Sequence, residues 1–257
     1  MKSKYLELLE TNDFIPNFWC SEEYFQKAGL EEIEAGGVLK VFDDDILVLP
    51  PLNSKGTFAE PSENMVWSDL EGCDFSSMGY VSEFLDYEYI YDPGAFSTME
   101  GKRWMVFRKN SRKFSRRVGE ELVYTSEGII EGEVKQLFLE WLSIQEREEI
   151  HDDKVLEKFL FEGQNRKILR GKSGRIYGLS VWDENYKYVN YRYCVCGKED
   201  FISEYMRLLF YTDPLILNKT KKVNDGGVLD NPRLKFFKDK LNPEQVKERK
   251  TWRKESP

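Results

Sequence analysis

The chain has 257 residues, long enough for one large domain or for two small ones that share a sheet. Its 46 acidic residues outnumber the 38 basic ones, and the net charge of −8 argues against non-specific binding to nucleic acid. No apolar run approaches the roughly 20 residues that a membrane helix requires, and the N-terminus lacks the apolar core of a signal peptide. Four cysteines in a chain of this length do not indicate a disulfide framework, so we predict a cytoplasmic protein.

The sequence contains one histidine, His151, in an acidic stretch that we interpret as a junction between two helices. Zinc sites built on two or three histidines are therefore excluded, and a Ser-His-Asp triad would need His151 as its base. The chain also lacks a Cys-x-x-Cys pair. We therefore predict that catalysis uses no metal ion.

The first half of the chain combines short helices with short strands. Ser21 is a good cap for the second helix, and Gly29 lies near its end. Acidic residues 43–45 are predicted to join two strands in a hairpin. The predicted elements are two helices within residues 1–30, a helix near 77–86, and strands at 38–42, 46–49 and 87–91.

The second half has clearer periodicity. Apolar side chains recur at helical spacing through residues 131–145 and again through 152–162. Cys194 and Cys196, two residues apart on a predicted strand, share one face, and core packing is the favoured interpretation. The remaining predicted elements are strands at 167–170, 175–182 and 186–196, a helix near 199–210, a strand near 222–223 and a helix near 231–240.

Two polar stretches are not assigned to a site. Residues 170–174 superficially resemble a phosphate-binding loop but lack its leading glycine, so a hairpin turn is predicted there. The charged tail at residues 244–254 is predicted to be a solvated helix or a fraying chain end.

Two segments carry a family resemblance. The first has a tyrosine-rich strand, a turn and a basic run, with Tyr89, Tyr91, Pro93, Gly101, Lys102, Arg103, Arg108, Asn110 and Phe114. The second contains Asn224, Gly226, Leu234, Lys235, Lys238, Asn242 and Pro243. In order and spacing, these segments resemble the soluble C-terminal domain of bacterial phosphatidylglycerol lysyltransferases, in the FemAB-like branch of the GNAT superfamily. Gly227 and Val228 stand where that family often carries acidic residues, and Leu241 stands in place of an aromatic one.

The resemblance implies a GNAT acyltransferase fold, an α/β architecture with a mixed sheet. It also implies two GNAT-like lobes, a degenerate one at residues 1–125 and a second at 126–257. The predicted order over residues 131–240 is helix, helix, three strands, helix, strand and helix, which agrees with a GNAT core after its first strand. We expect both halves to contribute strands.

The resemblance also implies acyl transfer from a thioester or an aminoacyl ester to an amine. The donor would be an acyl-CoA or an aminoacyl-tRNA, and no metal would be required. By motif position, Asn224 is the catalytic candidate that orients the substrate, and Lys102, Arg103, Arg108 and Lys238 are the donor-binding candidates. We expect Arg103, Asn224 and Lys238 to converge on one pocket, and we expect alanine at Arg103 or Lys238 to leave the melting temperature nearly unchanged.

Other interpretations remain open from the sequence. The basic run at residues 101–117 either binds a phosphate-bearing donor or forms a solvated helix face, since Trp104, Phe107 and Phe114 recur at helical spacing. A loop with two glycines for coenzyme A is not evident at 196–200. A non-catalytic binding module and a modifier of nucleic-acid bases are therefore the alternative functions.

Overall fold

The computed structural model describes residues 2–145, 153–228 and 231–255. Its strands are β1 (Glu31–Ala35), β2 (Val38–Asp43), β3 (Ile46–Leu47), β4 (Leu52–Asn53), β5 (Met65–Val66), β6 (Tyr80–Tyr91), β7 (Leu122–Thr125), β8 (Asn165–Gly171), β9 (Ile176–Glu184), β10 (Tyr188–Cys196), β11 (Lys222–Asn224) and β12 (Gln245–Lys254). Its α-helices are α1 (Lys4–Thr11), α2 (Glu22–Ala28), α3 (Pro93–Thr98), α4 (Met105–Val118), α5 (Glu131–Gln145), α6 (Asp153–Glu162), α7 (Ile202–Tyr211), α8 (Pro214–Leu217) and α9 (Pro232–Lys240). Over these residues, no helix combines the length and the apolar character needed to span a bilayer.

Eight strands form the main sheet in the order β5-β12-β6-β11-β10-β9-β8-β7. β10 and β11 run parallel, and the other neighbouring pairs are antiparallel. Strands from before and after residue 125 lie in this one sheet, which confirms the predicted mixed α/β architecture. The division into two lobes at that residue stays a prediction. A smaller sheet, made of β1 to β4, lies in the N-terminal part of the chain.

Three helices begin at an Asx-Pro pair. Asp92, Asp213 and Asn231 each accept a backbone N–H bond from the first turn of α3, α8 and α9 respectively. In each helix a proline follows as the first residue, where its fixed φ suits the helix and its missing N–H leaves no donor unpaired. The chain therefore changes direction at defined residues around the main sheet.

Helices cover both faces of the main sheet. Apolar side chains of α2, α5 and α6 pack on one face of β8, β9 and β10, around Phe159, Leu179 and Val195. Side chains of α4 and α7 pack on the opposite face, around Phe114 and Met206. We call these the α2 face and the α7 face.

Two predicted elements were wrong. The helix expected near residues 77–86 is a short 3-10 turn followed by β6, and the charged tail is β12, which pairs with β6 along its whole length. In β12 the alternating residues Lys247, Arg249 and Thr251 point inward and are buried. The strand period was hidden because two of its inward residues are charged. The predicted helix junction around His151 lies outside the described residues.

Candidate active site in a sheet opening

The main sheet opens between its two parallel strands. β10 and β11 pair only where residues 188–190 face residues 222–224, ending at Asn190 opposite Asn224. β10 continues along β9 to Cys196, whereas β11 ends at Asn224. Within the described chain, the edge of β10 after Asn190 therefore has no strand partner on the β11 side.

After β11 the chain stays beside β6. The Asp225 N–H donates to the carbonyl of Tyr89 (2.9 Å), and the Tyr89 N–H donates to the carbonyl of Gly226 (3.1 Å). We call the gap between residues 191–196 of β10 and residues 225–228 the notch. Main-chain N–H groups at such an opening are suitable donors for a carbonyl oxygen that gains negative charge during a reaction.

An irregularity in β10 sets which side chains border the notch. The register against β9 shifts between Tyr191 and Tyr193. As a result, Arg192 and Tyr193 both contact Phe159 on the α2 face. Tyr191 stacks on Phe210 of the α7 face instead. Bulges of this kind redirect side chains beside functional sites.

Asp225 is the centre of a buried ion cluster on the α7 face. Arg207 of α7 donates from Nε to Asp225 (3.0 Å), the Tyr211 hydroxyl donates to the same carboxylate (3.2 Å), and Lys238 Nζ lies 3.4 Å from it. Burial of Asp225 opposes ionisation, but the charges of Arg207 and Lys238 outweigh it, so its pKa is lowered. The carboxylate is therefore ionised between two cations.

Lys238 holds the turn that follows β11. Its ammonium donates to the carbonyls of Asp225, Gly226 (3.2 Å) and Gly227 (2.7 Å), and its own carbonyl accepts from the Tyr91 hydroxyl (2.9 Å). The residue is only 3% exposed. Burial lowers the pKa of Lys238, although Asp225 raises it. A substitution at Lys238 is thus expected to lower stability, contrary to the sequence-based expectation of an unchanged melting temperature.

Glu88 organises the other face of the same turn. Its carboxylate accepts from Arg249 (2.7 Å), from the Asn224 side chain (3.1 Å) and from the backbone N–H of Phe18 (2.6 Å). The Asn224 side-chain oxygen accepts from the Gly226 N–H (3.0 Å). A Cβ atom on Gly226 would lie 3.0 Å from the Phe18 ring, so this ring packs directly against the turn.

Arg192 holds Phe18 from the opposite end. It donates to Asp183 (2.8 Å), to the Ser21 hydroxyl (3.0 Å) and to the Phe18 carbonyl. Its guanidinium also lies over the rings of Phe18 (4.3 Å) and Tyr24 (4.8 Å). Glu88 therefore binds the backbone N–H of Phe18, and Arg192 binds its carbonyl. Phe18, held in this way, covers the notch on the α2 face.

Replacing Ser21 with alanine is expected to lower the free energy of unfolding by about 2 kcal/mol, the upper end for a cap. The Ser21 hydroxyl caps α2 through the Tyr24 N–H (3.1 Å) and also bonds Asp183 and Arg192, so two functions are lost together. Urea unfolding followed by circular dichroism measures the loss. Ser143→Ala, at an exposed position of α5, is the control, with a change within about 0.5 kcal/mol; equal losses in both variants would contradict the assignment.

A basic surface lies on the exposed side of α4. It borders a recess of about 390 Å³, lined by Met105, Arg108, Lys109, Arg112, Lys113 and Arg116. α4 packs on α7, so this surface lies on the α7 side of the sheet. Phe107, Ser111 and Phe114 form its buried side. The helix thus presents cations outward and aromatic residues inward, as both interpretations of the basic run required.

The structure places the predicted site residues in two groups. Asn224 and Lys238 meet at the turn after β11, one on each face. Lys102 and Arg103 are exposed before α4, with the Arg103 guanidinium over its neighbour Trp104 (5.9 Å). Arg108 donates to the carbonyls of Met99 and Gly101, which closes the loop before α4. Convergence of Arg103 on the turn stays a prediction.

Sequence reasoning missed most of the buried charges around the notch. They are Glu88, Asp183, Arg192, Arg207, Asp225 and Arg249. A signal did exist for three of them, because Glu88, Arg192 and Arg207 lie in otherwise apolar or aromatic segments. A charge at an inward position of a strand or helix needs a partner, and that is a reason to assign it to a site.

No protein-family model and no curated protein matches the chain. Solved structures with a similar fold include L-PGS from Bacillus licheniformis, with a TM-score of 0.67 and 16% identity over 100% of this chain and 93% of that one. The DUF2156 domain described as that of a lysylphosphatidylglycerol synthetase from Agrobacterium fabrum gives 0.64 and 12%, covering 98% and 92%. A conserved protein of unknown function from Bacteroides thetaiotaomicron gives 0.64 and 14%, covering 93% and 90%. The likeness to lysyltransferase domains is confirmed at the level of fold, and GNAT membership stays a prediction.

Proposed function

We propose that the protein transfers an acyl group, most specifically an aminoacyl group, from an ester donor to an amine. The observation that carries the proposal is the notch, an opening in the sheet with unpaired strand edge on one side and a fixed turn on the other. The similarity of the whole chain in fold to L-PGS supports the same chemistry.

Such a reaction requires a carbonyl to be oriented, an oxyanion to be stabilised and a proton to leave the attacking amine. In the proposal, main-chain amides on the free edge of β10 bind the carbonyl oxygen. Both polar groups of the Asn224 side chain are already bonded within the protein, to Glu88 and Gly226. We therefore assign Asn224 the role of positioning the turn rather than that of contacting the substrate.

The basic surface of α4 is the proposed site for the phosphates of the donor. Its exposed arginines Arg112 and Arg116 lie one helical turn apart and therefore on the same side of the helix. At this spacing both guanidinium groups can reach neighbouring phosphates of one RNA backbone. Lys102 and Arg103 extend the surface at the start of the helix. A row of several cations suits the backbone of an aminoacyl-tRNA better than the compact phosphates of an acyl-CoA.

The test compares donors in one transfer assay. The full-length chain is incubated with aminoacyl-tRNA carrying a labelled amino acid, or with labelled acyl-CoA, together with a panel of amines and phosphatidylglycerol vesicles. We expect label to move from aminoacyl-tRNA to one of the amines, whereas label on phosphatidylglycerol, which offers a hydroxyl, would overturn the amine assignment. Binding of the tRNA without turnover would instead indicate a non-catalytic module, and transfer from acyl-CoA alone would overturn the donor assignment.

The double substitution Arg112→Ala/Arg116→Ala is expected to weaken tRNA binding and to reduce the slope of log affinity against log salt by about 2. Two phosphate contacts are lost, while the folded core is untouched because both side chains are exposed. Fluorescence anisotropy across a salt series measures the slope. Lys135→Ala/Lys172→Ala, on other exposed surfaces, removes the same charge and should leave the slope unchanged.

A further inference from the structure

Cys194 and Cys196 form a pair of thiols on the α7 face of β10. Their sulfur atoms are 3.5 Å apart. Both lie in the part of β10 that borders the notch, after its pairing with β11 has ended. We propose that these two residues are a peroxide-sensitive dithiol, which oxidises to an intrastrand disulfide beside the candidate active site.

The backbone places the pair at the limit of disulfide geometry. Two residues that are two positions apart on a strand are separated by about 6.6 Å between Cα atoms, and disulfides usually span about 4.4–6.8 Å. The sulfur atoms are already 3.5 Å apart, and the bond requires the strand to contract at Val195 until the two Cβ atoms lie within about 3.5–4.5 Å. No pairing with β11 opposes this contraction, and the pairs of Cys194 and Cys196 with β9 have to shift with it.

The surroundings make Cys194 the attacking thiol. Its hydrogen bond with Cys196 lowers the pKa of Cys194 to about 7, burial opposes this, and Arg207 also favours the thiolate while Asp225 disfavours it. Cys194 is partly exposed, whereas Cys196 is buried. Burial raises the pKa of Cys20 to about 12, and burial raises that of Cys73 as well.

The proposed reaction has two balanced steps. The Cys194 thiolate attacks one oxygen of hydrogen peroxide, the O–O bond breaks, and the hydroxide that leaves takes up a proton as water. The sulfur of Cys196 then attacks the resulting sulfenic acid, loses its proton and displaces a second water as the S–S bond forms. Two thiols are oxidised by two electrons, and one peroxide is reduced to two waters.

Closure of this bond would alter the notch in two ways. The thiolate charge of Cys194, which Arg207 favours, disappears while Asp225 keeps its own, and the free edge of β10 shortens. Oxidised protein is therefore expected to bind and use donor less well than reduced protein. The chemical step itself does not depend on the proposed transfer activity, so the two proposals fail separately.

The test uses the full-length chain, a short treatment with hydrogen peroxide, blocking with iodoacetamide and tryptic mass spectrometry. Cleavage after Arg192 and Lys198 gives one peptide, residues 193–198, that holds both thiols and no other cysteine. The expected result is loss of two hydrogen atoms from this peptide, reversed by dithiothreitol. Cys20 and Cys73 should be recovered in the alkylated or reduced form.

Two variants control the result. Cys196→Ser should stop at the sulfenic acid of Cys194, trapped by dimedone, because the second sulfur is gone. Cys73→Ser should leave disulfide formation unchanged. The proposal is overturned if peptide 193–198 stays reduced, if it goes directly to sulfinic acid, or if all four thiols react at one rate in the folded protein.

Discussion

Replacing Asp225 with asparagine is expected to lower the free energy of unfolding by about 3–5 kcal/mol, the cost of leaving buried charge without its partner. Arg207 and Lys238 both lie against this carboxylate, and both are almost fully buried. The asparagine has nearly the same shape, so the loss comes from charge and not from a cavity. Urea unfolding at neutral pH measures it.

The matched control is Asp239→Asn on α9. Asp239 pairs with Lys235 at 3.2 Å, but both side chains are nearly half exposed, and exposed pairs contribute little. We expect a loss below about 1 kcal/mol there. A comparable small loss for Asp225→Asn would show that the cluster around the turn is not the buried ion network described above.

The pH dependence of Asp225→Asn follows from the same network. In the native protein the pKa of Asp225 is lowered. The stability that Asp225 contributes is therefore fully present above its pKa in the unfolded chain, about 3.9, and is lost only as pH falls through its lower pKa in the native protein. In the variant, burial and Arg207 act on Lys238 without the opposing carboxylate. Its native pKa then falls further below the unfolded value of about 10.4, and stability should rise with pH in that window.

Local patterns predicted the elements that pack through one apolar face. The helix at α5 and the strands β8 to β10 were predicted because their side chains alternate or recur with the periods of regular structure. The pairing of β12 with β6 was not predicted, since Glu88 and Arg249 lie 161 residues apart and only the fold makes one the partner of the other. When the inward-facing residues of two strands are charged pairs, the sequence of each strand lacks the apolar alternation that indicates a buried face.

For the candidate site too, one part could be predicted from local sequence and another part depended on the fold. The segment around Asn224 and Lys238 was found because the order and spacing of its residues resemble a family pattern. The sequence predicted substrate orientation for Asn224 and donor binding for Lys238, whereas their contacts in the structure are with the protein itself. Lys238 has the position expected of a ligand-binding cation, yet its three carbonyl partners show that it fixes the turn. The motif therefore indicated where the candidate site lies, and the burial and contacts of Lys238 indicated its role.

Gly227→Ala is expected to lower the free energy of unfolding by about 3 kcal/mol, the upper range for overpacking. A Cβ atom there would lie 1.7 Å from the Asp86 carboxylate and 2.7 Å from the backbone carbonyl of Tyr87. The Asp86 carboxylate accepts from the Val228 N–H (3.0 Å), so it cannot move away without releasing the turn.

The carboxylate of Asp86 therefore fills the space that a side chain at position 227 would occupy. The control is Gly132→Ala in α5, where nothing lies within 4 Å and the helix should gain about 0.5–1 kcal/mol. Urea unfolding of both variants should therefore give changes of opposite sign. If Gly227→Ala were neutral, the Asp86 carboxylate would have to be free to leave the turn, and a fixed turn beside the notch could not be maintained.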